Sequence, residues 1–226
     1  MSKRLTEQTQ KRNYITVLSD GTFRLSVPEG SEGSIKREYE TSTGEKGVKY
    51  ERVYQTAQGL IEDISFIDTD YGESVVVTLT GETEGDDAEI TIMLNTTSPF
   101  GEDFLKKLPN INFQRPVLLR PYSFTDEKTG KPRKGIAITQ GENKIVNFFF
   151  DIDKKKTING YPEPEGDVNE YDKEDWKIYF LKARKFVVKY AKEKVELPKK
   201  KEGFEILEGG DIPETGEEIN PEDIPF

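Results

Sequence analysis

Apolar and polar positions begin to alternate at Tyr14, in short runs broken by Gly, Pro and Asp, the pattern of strands joined by tight turns. Residues 14–17 and 23–27 alternate around Ser19, Asp20 and Gly21, which predicts a hairpin. Residues 35–41 and 48–56 predict a second pair around a turn at 43–47. Residues 59–68, 73–80 and 88–94 read as a three-stranded antiparallel meander. Ser98 then offers a helix cap, Pro99 the first helical position, and Phe100, Phe104, Leu105 and Leu108 an apolar stripe that ends at Pro109 and Asn110. Further strands are predicted over 116–124, 135–140 and 144–151; alternation in the last puts Phe148 and Phe150 together on the core face and Phe149 on the other. Asp172 caps a helix over 173–194, whose apolar stripe is Trp176, Phe180, Ala183, Val187 and Ala191.

The later elements follow the order β-β-β-α-β-β. That order matches a mainly β OB-fold, a five-stranded barrel with a helix between its third and fourth strands. The strands over 14–56 become N-terminal extra strands lying against the barrel, and 173–194 a C-terminal α-helix. A plain β-sandwich is the structural rival. The expected organisation is a flexible N-terminal arm over 1–13, one domain over 14–198 and an acidic tail over 199–226.

Charge divides the chain unevenly. Residues 202–226 carry nine carboxylates and no Lys or Arg, so they hold −9 of the net charge of −10, and 33 basic residues face 34 acidic ones before them. Like charges, Gly and Pro without periodicity predict an extended, solvated tail. Its last residues are nevertheless apolar, Ile224, Pro225 and Phe226. The chain contains no Cys and no His, which removes disulfides, thiol nucleophiles, Cys or His zinc sites and the commonest neutral-pH base. No apolar run approaches the roughly 18 residues of a spanning helix, and 34% of residues are charged, so no membrane role is expected.

The final Asp223-Ile224-Pro225-Phe226, after an acidic run, resembles the tip of bacterial single-stranded-DNA-binding proteins. The layout of β-rich body, late helix and acidic tail resembles their bacteriophage counterparts. The resemblance implies a non-enzymatic protein, without cofactor, that binds and protects single-stranded DNA during replication, recombination or repair. It also implies a tip, Glu222 to Phe226, that recruits a replication protein such as a polymerase, helicase or primase. The expected location is the cytoplasm of a bacterial host. The chain lacks the long Gly/Gln-rich linker of the bacterial relatives and has extra N-terminal strands, which puts their tetramer in doubt and leaves a homodimer open.

A general binder of single strands needs cations along a groove and flat side chains for base stacking. The candidate cations are Lys36, Arg37, Lys49, Arg52, Arg120, Lys128, Lys131, Arg133 and Lys134; the candidate platforms are Tyr39, Tyr50, Tyr54, Tyr122 and Phe124. A near-neutral body with cationic loops and a −9 tail allows the tail to occupy the groove until a polyanion displaces it. Two other classes are weighed: a structural or scaffold protein with an acidic assembly tail, and a Mg-dependent nuclease built on Asp151 and Asp153.

Overall fold

The structure is a computed structural model and describes residues 13–40, 44–81 and 89–199. The predicted arm, apart from Asn13, and the tail beyond Lys199, including Glu222 to Phe226, lie outside the described residues. The fold is mainly β with a C-terminal helix. Its strands in chain order are β1 (Asn13–Val17), β2 (Phe23–Ser26), β3 (Ile35–Glu40), β4 (Lys46–Tyr54), β5 (Ala57–Thr69), β6 (Gly72–Thr80) and β7 (Ile90–Asn95). After helix α1 (Pro99–Lys107) come β8 (Val117–Thr125), β9 (Pro132–Gln140) and the two-residue strands β10 (Asn143–Lys144), β11 (Phe150–Asp151) and β12 (Lys156–Thr157). Helix α2 (Lys173–Lys194) closes the described chain. Among the described residues, no helix is long and apolar enough to cross a membrane.

The expected closed barrel is not formed. Among the described residues, ten strands make one sheet in the order β10-β9-β8-β5-β6-β7-β1-β2-β4-β3, and no ladder joins β7 to β9. The outer edge of β7 is taken instead by β1, which pairs with it in parallel through Ile15 opposite Ile92. The N-terminal strands therefore continue the sheet rather than pack against a separate barrel. At β9, α1 fills the gap. The Ile136 N–H donates to Asp103 Oδ2 at 2.8 Å, and the Lys107 ammonium donates to the Ile136 carbonyl at 2.7 Å. Two side chains from one helical face thus satisfy a backbone edge that a closing strand would otherwise pair.

The core lies between the sheet and the helices. Val75, Val77 and Leu79 of β6 alternate inward with Ile92 of β7 and Ile136 and Ile138 of β9, while Phe104 and Leu105 of α1 pack upon them. Helix α1 starts as the sequence indicates, with the Ser98 hydroxyl accepting the Gly101 N–H at 3.0 Å. Helix α2 is held by a capping box between Asp172 and Asp175 and buries Ala183, Val187 and Ala191. Trp176 and Phe180 of the same predicted stripe are half-buried and stack at 5.7 Å. An ion cluster fastens the two helices: Glu102 bonds to Lys106 at 2.5 Å and to Arg184 at 2.8 Å. Burial pushes the Glu102 carboxyl upward, but the two cations outweigh it and hold the group below its ordinary range.

The predicted strand over 144–151 is also corrected. The chain there bends under the helices: the Phe148 N–H donates to the Lys106 carbonyl at 2.8 Å, and the Phe149 N–H to Asn147 Oδ1 at 2.8 Å. Only its ends enter short ladders, Lys144 with β9 and Phe150 with β12, and between them strict alternation has no force. Phe149 is the core ring, 1% exposed and edge-on to Phe186 and Tyr190 at 5.7 and 5.1 Å, whereas Phe150 is exposed and Phe148 half-buried.

Candidate nucleic-acid interface

Strands β8 and β9 extend together as a hairpin arm well beyond the three residues at which β8 pairs with β5. Register places Arg120 opposite Ala137, Tyr122 opposite Gly135 and Phe124 opposite Arg133, so Arg120, Tyr122, Phe124 and Arg133 share one face. Gly135 is required there. A Cβ at that position would stand 2.5 Å from the Tyr122 hydroxyl and 2.3 Å from Asp103 Oδ2, and its absence lets the tyrosine ring lie across the strand. Burial, reinforced by Asp103, pushes the Tyr122 phenol up to about 12. Phe124, 55% exposed, lies 5.8 Å from Tyr122 with the rings tilted at 40°. The ring is bare on the sheet surface, with Arg133 opposite it in register and Arg120 four positions away along the same face of β8.

The basic loop that the sequence indicates over 125–134, between the predicted strands 116–124 and 135–140, is shorter in the structure, because Arg133 and Lys134 belong to β9. The turn 126–131 is built on Asp126, whose Oδ1 accepts the N–H groups of Lys128 and Thr129 at 3.0 Å each. Those bonds hold the Asp126 carboxyl below its ordinary range, with Arg133 contributing from 3.8 Å. Lys128 is exposed on the turn, Lys131 stands at its end, and Lys134 points to the face opposite Phe124. Arg120 and Lys128 form no ion pair among the described residues.

The β3–β4 candidates divide between two faces. Arg37, Tyr39 and Lys49 lie on one side with Glu51; Lys36, Tyr50, Arg52 and Tyr54 lie on the other. Both sets are engaged locally. Arg37 donates two bonds to Glu51, at 2.9 and 2.7 Å, and this pairing raises its pKa. Arg37 and Lys49 sit 5.8 and 5.0 Å from the Tyr39 ring centre. Across the sheet, Lys36 bonds Glu38 at 3.1 Å, the Tyr50 hydroxyl bonds Glu29, and Arg52 Nε donates to the Glu32 carbonyl at 3.0 Å. Tyr54, opposite Phe23, is exposed.

The β1–β2 turn links these groups to the arm. Gly21, at φ +75°, rests on the β8 backbone so closely that a Cβ would lie 2.5 Å from the Ser123 nitrogen. Asp20 beside it bonds Arg24 and contributes to the raised pKa of Arg37. The structure thus brings the Arg37 set, whose guanidinium is paired with Glu51, next to the arm, where Arg120 and Lys128 form no ion pair among the described residues.

Asp151 is engaged by its own turn. Its Oδ1 accepts the N–H groups of Asp153 and Lys154 at 3.1 and 3.0 Å, and its Oδ2 meets the Lys154 ammonium at 3.1 Å. The Lys154 N–H is the first cause of its lowered pKa. Among the described residues, no group of three or more His, Cys, Asp or Glu side chains is placed to hold a metal ion.

Comparison of the chain with protein-family models, with curated proteins and with solved structures finds no match. The structure adds one feature that no sequence spacing indicates, a cleft whose walls come from the loop after α1, from Phe148 and from the end of α2.

Proposed function

We propose that this protein binds single-stranded DNA without sequence preference, using the β8–β9 arm as its principal contact. The observation that carries the reading is Phe124, exposed on a sheet face it shares with Tyr122, Arg120 and Arg133. Stacking on such a ring contributes roughly 1–3 kcal/mol per base, and the guanidinium groups supply phosphate contacts. Strand order supports an OB-type body. The five strands β9-β8-β5-β6-β7, with α1 between the third and fourth in the chain, have the neighbour relations of that fold, opened where α1 is wedged.

The acidic tail completes the scheme. Its nine carboxylates compete for the arm when no polyanion is bound, and displacement frees Glu222 to Phe226 to engage a hydrophobic, cation-rimmed pocket on a replication enzyme. The test is fluorescence anisotropy with oligo-dT, oligo-rU and duplex at two salt concentrations, on the full chain and on a variant lacking residues 220–226. Oligo-dT should bind with affinity that falls steeply with salt, and the deletion should hold or raise that affinity while abolishing partner recruitment. Salt-independent retention, or loss of both activities on deletion, would remove the scheme.

A further inference from the structure

A cleft of about 440 Å³ opens beyond the Gln140 end of β9, away from the arm. Three rings, Phe113, Phe148 and Tyr190, line it, with Asn112, Gln114 and Lys194 among its polar groups and Glu196 also at its edge. The walls are held before any ligand arrives. The Gln140 side chain donates to the carbonyls of Asn112 and Arg115 at 2.7 and 3.0 Å and accepts the Asn112 N–H at 2.9 Å. Asn110 donates to the Val146 carbonyl at 3.0 Å, and Tyr190 is braced against Phe148 at 5.6 Å.

Its polar groups are available. The Tyr190 hydroxyl, the Asn112 side-chain nitrogen Nδ2, the Gln114 carboxamide and the Lys194 ammonium form no hydrogen bond or ion pair among the described residues. An aliphatic side chain would use the rings and leave those donors idle. A nucleobase presents a flat π-face and a rim of donors and acceptors, and its phosphate suits a lysine at the mouth. A cleft of this volume falls within the roughly 300–1,000 Å³ of small-ligand sites. We infer that it takes one nucleotide unit of a single-stranded polynucleotide, the base against Phe148 and Tyr190 and the phosphate at Lys194. The inference rests on the proposed single-strand binding and extends its path from the arm. The two contacts stand at opposite ends of β9, roughly 24 Å apart at about 3.4 Å per residue.

The experiment uses the full chain and oligo-dT carrying iododeoxyuridine, photocrosslinked and mapped by mass spectrometry, with affinities measured beside it for Lys194→Glu and Gln114→Ala. Both substitutions are at the cleft's open rim, and circular dichroism checks that the fold is retained. Crosslinks on Phe113, Phe148 or Tyr190 are expected. Lys194→Glu should weaken binding about fivefold and lower the slope of log K against log salt by about 0.7. Crosslinks confined to Tyr122 and Phe124, with the Lys194→Glu affinity unchanged, overturn the cleft and leave the arm standing. Failure of the unaltered chain to bind any oligonucleotide overturns both, and is recognised by the absence of a binding curve before any crosslink is mapped.

Discussion

Asp103 Oδ2 accepts the backbone N–H of Ile136 at 2.8 Å, joining the middle of α1 to the outer edge of β9 at a point that β10, paired at Thr139 and Gln140, does not reach. The same oxygen holds the Lys107 ammonium at 2.6 Å, and Lys107 is buried. One carboxylate therefore satisfies an edge amide and neutralises a buried cation. Asp103→Ala would remove both at once. It should lower stability by about 3 kcal/mol, the usual effect of stripping a buried charge of its partner. Urea unfolding measures this, and a midpoint shift too small to register would show that α1 does not depend on the contact.

Phe124 and the arm cations separate binding from folding. Phe124 is more than half exposed, so Phe124→Ala should leave the urea midpoint nearly unchanged while weakening oligo-dT binding by about 1–3 kcal/mol. Arg120→Ala should reduce the salt slope by about 0.7. Anisotropy titrations at several salt concentrations read both.

Arg37 should behave in the opposite way. Glu51 is 3% exposed and Arg37 is its bidentate partner, so Arg37→Ala leaves a buried carboxylate without its cation. The expected outcome is a loss of about 2–4 kcal/mol in urea unfolding. A variant that folds normally but binds oligonucleotide poorly would instead assign Arg37 to the interface.

Tyr122 supplies a pH signature. Its folded pKa lies near 12, above the ordinary value of 10, because burial and Asp103 both oppose the phenolate. A group with a raised folded pKa contributes stability that is complete below its unfolded pKa and is lost as pH climbs through the folded one. That contribution should therefore fade between about pH 10 and 12. Phenolate absorbance during alkaline titration, compared between the unaltered chain and Tyr122→Phe, should assign the latest-ionising step in the folded protein to Tyr122. Loss of an earlier step instead would place the ring in solvent.

What could be read in the linear chain was whatever depends on near neighbours. Ser98 and Asp172 mark helix starts because capping is a matter of three residues, and the strands of the predicted meander declare themselves as β-branched apolar runs bounded by turn residues. The tail's charge and the absence of Cys and His are likewise properties of the sequence alone. Alternation failed over 148–150, where the Phe148 and Phe149 N–H groups bond to α1 and to a turn and only Phe150 enters the two-residue ladder with β12. Three things depended on the third dimension. Barrel closure was decided by α1 reaching Ile136, a contact spanning 33 positions. The division of Arg37 from Lys36, and of Arg133 from Lys134, was decided by strand register, which gives adjacent residues opposite faces. The cleft was decided by three segments distant in the chain meeting around Phe148, and a surface assembled from remote pieces leaves no local spacing to detect.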